Sequence, residues 1–295
     1  MITLLQLDYF RRLAATEHIT QTARELFISQ TALSSMIIGL EKELGVQLFD
    51  RSRRAIHLNE AGRVYLEYVN QVFLALENGR SALSDIAGAR ESQVSLAVGT
   101  SLVWMPMIRS FHQACPHLAL RQTNMSTEGL SRALTNLSVD FVIAGEEDIQ
   151  SEELEKQWLK EDLVYLCVPQ NHPLAGCSSV SMQDIRNEAF INMTPGFPWR
   201  MFCDKLFEKA GYAPHVAVEC DYTLRGSLIE SGFGVALTSS SAKQVDLLKP
   251  NRYVLISDSF ARRNMYLFWN PRRYVSKACL DFKDFCRGFY AQAEQ

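Results

Sequence analysis

The stretch NEAGRVYLEYVNQVFLALENGRSALSDIAG, beginning at Asn59, restricts this chain more than any other. Ala61, Val64/Tyr65, Tyr68, Val72, Leu76, Leu83 and Ile86 recur in it at helical steps, so the spacing predicts a helix from Asn59 to about residue 87. At 1.5 Å per residue, roughly 28 residues make a rod about 40 Å long. A lone striped rod of that length has little of its own chain to pack against. The pattern suits a coiled-coil-like dimer, with a core helix as the alternative. The rod also divides the chain into a short N-terminal piece and a long C-terminal one.

The N-terminal piece reads as three short helices and a basic hairpin. Leu4, Leu7, Phe10 and Leu13 lie at three-residue steps along LQLDYFRRLAA. Thr20 is placed to cap a second helix, QTARELF, in which Ala23 permits close contact with a neighbour. Ser29 caps a third, and Gly45 stops it in the left-handed conformation. VQLFDRSRRAIHL then reads as strand, turn and strand, with Arg51, Arg53 and Arg54 at the tip. Helix, turn, helix and basic hairpin make a winged helix-turn-helix.

From residue 93 the pattern changes to alternating strands and helices, the mark of an α/β domain. VSLAVGT, LALRQTNM and VDFVIAG read as strands separated by the helices MIRSFHQAC and EGLSRALTNL. After residue 162 a similar series follows: DLVYLCVP, AFINM, WRMFCDKLFEKAG, HVAVECD, TLRGSLIESG and GVALTSS. The strand MYLFWNP and a helix over 275–292 close it. Two α/β lobes imply a cleft between them, the usual place for a small molecule.

Composition narrows the function classes. Hydrophobic residues make up 47% and charged residues 21%, as in soluble globular proteins. The longest apolar runs, LVYLCVP and VDFVIAG, are strand-sized, far short of the ~18 residues a membrane span needs. MITLLQLDYFRR lacks the features of an export signal, so a cytoplasmic protein is expected. Net charge is −3, and residues 1–90 balance ten Lys/Arg against ten Asp/Glu. Any affinity for nucleic acid must therefore come from local charge, such as the three arginines of the hairpin. Seven scattered cysteines without a CxxC or a Cys/His cluster argue against zinc and against a disulfide framework. No metal and no cofactor is expected.

The run LLQLDYF, then TQTARELFISQTALSSMIIGLEKELGVQLFDRSRRAIHLNEAG, resembles the N-terminal signature of LysR-type transcriptional regulators. The specific parts are the SQ-x-ALS turn, the LExELGxxLFxR run and the LxxAG start of the long helix. HPLA at 172–175 and ESGFGVALT at 230–238 are similar to later pieces of the family. The resemblance implies a winged helix-turn-helix over residues 1–58, a dimerising linker helix over 59–88 and an effector-binding domain over 92–295. That domain would be two-lobed and like a periplasmic binding protein, with lobe I at about 92–161 and 267–295 and lobe II at about 162–266. The implied function is regulation of transcription by a homotetramer, or a dimer, that binds double-stranded promoter DNA of dyad symmetry and senses a small-molecule inducer.

A cap at Ser29 puts Gln30, Thr31, Ser34, Ser35 and Ile38 on a shared side, with Ala32, Leu33, Ile37, Leu40 and Leu44 largely inward. Gln30 can pair bidentately with adenine, and the hydroxyls reach bases or phosphates. The helix N-terminus adds backbone N–H groups for phosphate. The family often has Arg or Lys where this chain has Ser35 and Gly39, which leaves the middle of the helix uncharged. Arg51, Arg53 and Arg54 would meet phosphates or enter the minor groove; for Arg51 an ion pair within the domain is the alternative. The family's effector contacts fall on Thr100 and Ser101, on Ser126 and Thr127, and on Thr194. Hydroxyls there can bind a carboxylate or simply cap the next helix. Between Gly99 and Pro106 lie six residues, fewer than the family usually has; Trp104 and Phe197 could line the gap or belong to the core. Glu146 stands where acid-sensing relatives often carry a basic residue, a pointer away from a simple dicarboxylate.

Two other classes compete. An enzyme would need a nucleophile elbow, a phosphate loop or a G-x-G-x-x-G after a strand, and the chain has none. Thiol-based redox sensing is a specialised use of the same family. Cys203 lies in the relevant neighbourhood with no partner on its own helix, while Cys167 and Cys177 flank the HPLA turn.

Overall fold

Thr3 opens helix α1, Leu4–Thr16, with a capping box: its hydroxyl accepts from the Gln6 N–H and the Gln6 side chain accepts from the Thr3 N–H. The computed structural model describes residues 1–51, 56–86, 93–245 and 251–292 and divides into two units, Met1–Ser81 and Ala82–Gln295. Helix α2, Ile19–Glu25, starts earlier than the sequence reading placed it. His18, not Thr20, is its cap, and the His18 ring accepts from the Gln21 N–H at 3.3 Å. Ser29 caps α3, Gln30–Leu44, by accepting from the Ala32 N–H at 3.1 Å, and Gly45 ends it at φ 72°. Strands β1, Phe49–Arg51, and β2, Ile56–Leu58, pair antiparallel. Asn59 caps α4, Glu60–Ile86, through the Gly62 N–H at 2.8 Å.

Phe10, Leu13, Leu33, Ile37, Leu40 and Phe49 form the core of the first unit. Each such side chain contributes about 1.5–3 kcal/mol by leaving water. One buried carboxylate binds the helices to the hairpin: Glu41 accepts from the Leu48 and Phe49 N–H groups at 2.9 and 3.3 Å. A second carboxylate, Glu17, holds β2 by accepting from the Leu58 N–H at 2.8 Å and pairing with His57. That backbone bond and His57 hold its pKa below the usual value.

Helix α4 carries two apolar faces where the sequence suggested one stripe. Tyr65, Leu66, Val69 and Phe73 pack on the first unit's core. Val64, Tyr68, Val72 and Leu76, together with Leu83 and Ile86, are exposed. The second set recurs mostly every four residues along one side and forms an apolar surface left exposed among the described residues.

In the second unit, β3 (Gln93–Val98), α5 (Met105–Ala114), β4 (Ala119–Asn124), α6 (Thr127–Thr135) and β5 (Phe141–Gly145) follow in turn. Strand β6, Glu155–Val168, leads into β7 (Ser179–Val180) and β8 (Ala189–Met193). Then come α7 (Pro198–Lys209), β9 (His215–Cys220), α8 (Tyr222–Glu230), β10 (Ala236–Ser239) and α9 (Ser240–Val245). The chain ends with β11 (Arg252–Ile256), β12 (Arg262–Trp269) and α10 (Lys277–Gln292).

The 14-residue β6 joins two lobes. Its first part pairs antiparallel with β12, beside β5, β3 and β4. Its last part pairs with β10 and β11. Because β6 crosses in one direction and the chain returns from β11 to β12, two connections link the lobes. Each lobe has its own core, Leu96, Phe141, Leu267 and Phe282 in one and Leu166, Phe190, Phe207 and Val254 in the other. Among the described residues, no helix is long and apolar enough to cross a membrane.

Candidate functional site

Helix α3 presents a polar first turn on an otherwise packed unit. Ser29, Gln30, Thr31, Ser35 and Ile38 are exposed and Ser34 is half-buried, while Leu33, Ile37 and Leu40 face the core. Ala32, expected inward, is exposed as well. The Ser29 hydroxyl is committed to the cap and lies 3.0 Å from the Thr31 hydroxyl. The Gln30 amide is therefore the longest group on this turn. Arg51 closes β1, and Arg53 and Arg54 fall outside the described residues.

Between the lobes of the second unit lies a cavity with about 50 Å³ open to the centres of water-sized molecules. Both lobes build it. Gly99, Thr100, Val103, Trp104 and Ile143 come from one side, and Met193, Pro198, Trp199, Tyr222 and Arg225 from the other. Asp162 and Arg263 lie at its floor, on β6 and β12, where they are register partners. The lobes touch at the mouth. A Cβ on Gly99 would meet the Pro198 ring at 2.7 Å, and the Thr127 N–H donates to the Gly196 carbonyl at 2.9 Å.

The charges of this cavity are strongly organised. Arg263, 6% exposed, is held by Glu147 at 2.5 Å and by Asp148. Gly145 makes room for it, since a Cβ there would lie 2.5 Å from the Arg263 Nε. Burial pushes the Asp148 carboxyl above its ordinary pKa, and Arg263 pulls it back. Asp162 accepts from the Ser241 N–H and hydroxyl, both at 2.8 Å, and from the Ser240 hydroxyl. Behind it Lys160 donates to the Ser241 hydroxyl, and burial lowers its pKa.

Of the five effector positions read from the sequence, only Thr100 lines the cavity. The Ser101 hydroxyl lies 2.7 and 2.5 Å from the side-chain oxygens of Gln122 and Asn124 and donates to one or the other. Ser126 caps α6 through the Gly129 N–H. The Thr127 hydroxyl is buried without a partner, and Thr194 is exposed beside the loop into α7. The short link after Gly99 bears on Ser101 alone. It folds as a single 3-10 turn, Leu102–Trp104, which carries Trp104 into the cavity wall and turns Ser101 outward. Phe197 stays out of the wall, and Trp199 takes that place. Glu146 pairs with Lys156 at 2.5 Å outside the cavity, so it has no bearing on the charge of a ligand there.

Arg225, Tyr222, Asp162, Ser239 and Arg263 were missed by the sequence reading. A signal was present for Arg225: it shares the inward side of α8 with Ile229, four residues on, and both are buried. An arginine on that apolar side requires a purpose.

Most of the thiols are buried, a poor setting for redox chemistry. Burial raises Cys203 to about 12 and Cys279 to about 11, and it raises Cys115, Cys220 and Cys286 too. Cys167 is buried and Cys177 is exposed. A reactive thiol needs the opposite setting, electropositive and accessible. In the native protein a disulfide reagent such as DTNB is expected to titrate about one fast thiol per chain. Cys177→Ser should remove it; a fast reaction surviving that change would show a second accessible thiol.

A family model described as "LysR substrate binding domain" matches residues 87–291, and one described as "Bacterial regulatory helix-turn-helix protein, lysR family" matches residues 4–63. The "Uncharacterized HTH-type transcriptional regulator YybE" of Bacillus subtilis (strain 168) is 30% identical over 294 residues, covering 97% of this chain and 99% of the relative. Among solved structures, a full-length OxyR variant from Pseudomonas aeruginosa superposes with TM-score 0.71 at 22% identity, covering 97% and 95% of the two chains. Full-length CbnR complexed with its target DNA gives 0.64 at 19% identity, covering 97% and 99%. At these identities the two structures attest the fold alone.

Proposed function

Since this chain belongs to the LysR family of bacterial transcriptional regulators, we propose that residues 1–58 read promoter DNA while residues 92–295 sense a small inducer in the cleft between their lobes. It is a DNA-binding regulator with an effector-binding domain, and its family consists of regulators, not enzymes. The observation that supports the DNA reading best is the polar first turn of α3, exposed above a packed core. Gln30 reads a base, Thr31, Ser34 and Ser35 reach bases or phosphates, and Ile38 adds an apolar contact. The Ser29 cap keeps the backbone donors of the first turn aimed outward. The wing arginines 51, 53 and 54 supply the positive charge that α3 lacks. Residues 59–88 join two copies through the exposed side of α4, placing two recognition helices on half-sites of a dyad, and dimers pair into a tetramer. The protein works in the cytoplasm and performs no catalysis of its own.

Inducer binding would favour one arrangement of the lobes and so shift the grip on DNA. Thr100 is the hydroxyl that supports this reading from within the cavity, while Ser101, Ser126, Thr127 and Thr194 would act only through the loops they hold. The test is Gln30→Ala on a bound DNA site. The variant is expected to lose about 1–3 kcal/mol of discrimination at one base pair while the salt dependence stays unchanged. An unaltered preference would remove Gln30 from the reading surface.

A further inference from the structure

Three charged residues line the cavity, and two of them are already neutralised or saturated by the protein. Arg263 has its two carboxylates, and Asp162 has three donors from Ser240 and Ser241. Arg225 is different. It is 2% exposed, yet its guanidinium meets only neutral groups, donating to the Leu237 carbonyl at 3.4 Å and the Thr238 hydroxyl at 3.1 Å. The Tyr222 ring lies against it, with the guanidinium carbon 4.6 Å from the ring centre. Among the described residues no carboxylate forms an ion pair with it.

A guanidinium is always charged and carries five N–H donors. Burying one without a counter-ion is costly, and an apolar side chain of the same size would fit the inward side of α8 better. The Leu237 carbonyl already receives the Trp199 indole N–H at 3.2 Å, so Arg225 is not needed to satisfy it. What Arg225 lacks is an anion, and the cavity it lines is where one can arrive. Apart from Asp162, Arg263, Tyr222 and the hydroxyls of Thr100 and Ser239, the rest of the wall is apolar, with Val103, Trp104, Ile143, Met193 and Met265. On this measure of volume a water needs about 10–15 Å³, so the space takes a ligand of only a few heavy atoms.

We infer that the effector is a small organic monocarboxylate, bound with its anionic end on Arg225 and its apolar end against Trp104 and Met265. This rests on the reading of the interlobe cleft as the effector site. The planar fork of Arg225 matches a carboxylate, and closing the lobes over it strengthens the pair by excluding water. The neutral contacts to Leu237 and Thr238 hold the fork in place before the ligand comes.

The test is a thermal-shift and calorimetric comparison of the full-length protein with acetate, butyrate and isovalerate, each set against its neutral amide, with inorganic phosphate as a further arm. At least one carboxylate should stabilise the wild type where its amide does not. Arg225→Gln should weaken that binding about 10- to 100-fold, the range for hydrogen bonds to a charged group. Arg225→Lys, which keeps the cation without the fork, should retain weaker binding and guards against a folding defect in the glutamine variant. Absence of any carboxylate effect, equal effects of acid and amide, or a carboxylate effect unchanged by Arg225→Gln would each overturn the inference. A response to phosphate alone would overturn the carboxylate assignment. Ala242→Phe, which fills the cavity, separates the two levels. Amide binding that it abolishes would leave the cleft reading standing without the anion, whereas carboxylate binding that survives it would place the ligand outside the cleft and end both.

Discussion

Arg263→Ala is expected to destabilise the effector-binding unit by about 3–5 kcal/mol, the range for breaking a buried ion pair from one side. Both Arg263 and Asp148 are almost fully buried, so solvent screens little of the loss. Among the described residues, the variant leaves the Asp148 carboxylate with one hydrogen-bond donor, the Gly145 N–H at 2.9 Å. The effect carries a pH signature. Burial already holds the Asp148 pKa up and Arg263 opposes that, so deleting Arg263 raises it further. A carboxyl whose folded pKa lies above its unfolded value contributes stability at low pH that is lost as pH rises through the folded pKa. The deficit of the variant is therefore largest near neutrality and narrows as pH falls toward the ordinary carboxylate range near about 4. Urea denaturation at a series of pH values checks it. A deficit under about 1 kcal/mol, or one that grows on acidification, would contradict the assignment of the pair.

Gly62→Ala is the second large effect, and its sign runs against helix propensity. Alanine is favoured over glycine by about 1 kcal/mol inside a helix. At Gly62, however, a Cβ would lie 2.1 Å from the Leu48 carbonyl oxygen and 2.6 Å from the Leu58 side chain. The first obstacle is backbone and cannot rotate away, so α4 must lift from the hairpin. Loss at or above the upper end of the usual overpacking range, about 1–3 kcal/mol, is expected, with weakened DNA binding. Gly79, on the same helix, has nothing within 4 Å of such a Cβ. Gly79→Ala should be neutral or stabilising by up to about 1 kcal/mol. Thermal unfolding of the two variants side by side checks the argument; equal effects would dissolve it.

These two residues also mark how far the sequence could be read. The LxxAG motif pointed to Gly62 without giving its physical reason, which is a backbone contact from outside the helix. Helices with a cap, a stripe and a stop were legible, α3 most of all, because Ser29, its apolar spacing and Gly45 agree. The start of α2 was misplaced because His18, rarely thought of as a cap, accepts through its ring. The first half of β6, EKQWLKE, was left out because it is charged and polar outside Leu159 and Trp158, and only its pairing with β12 makes it a strand. The cleft fared worse than the helices. Its hydroxyl positions follow from a family pattern, and the short link after Gly99 puts Trp104 rather than Ser101 in the wall. Its charged residues sit far apart in the chain, on β6, α8 and β12, and only the crossing of the lobes brings Asp162, Arg225 and Arg263 together.

The polar start of α3 and the arginines of the wing belong to one account, in which a short uncharged turn reads bases and its neighbours supply the attraction. The most direct measurement is selection of sites from random-sequence DNA by the purified protein, followed by footprinting of the selected DNA. The account predicts enrichment of a site with dyad symmetry and two protected half-sites, centred about one helical turn of 10–10.5 base pairs apart or a multiple of it. No enrichment over successive rounds, with the same affinity and salt dependence on every sequence, would contradict it.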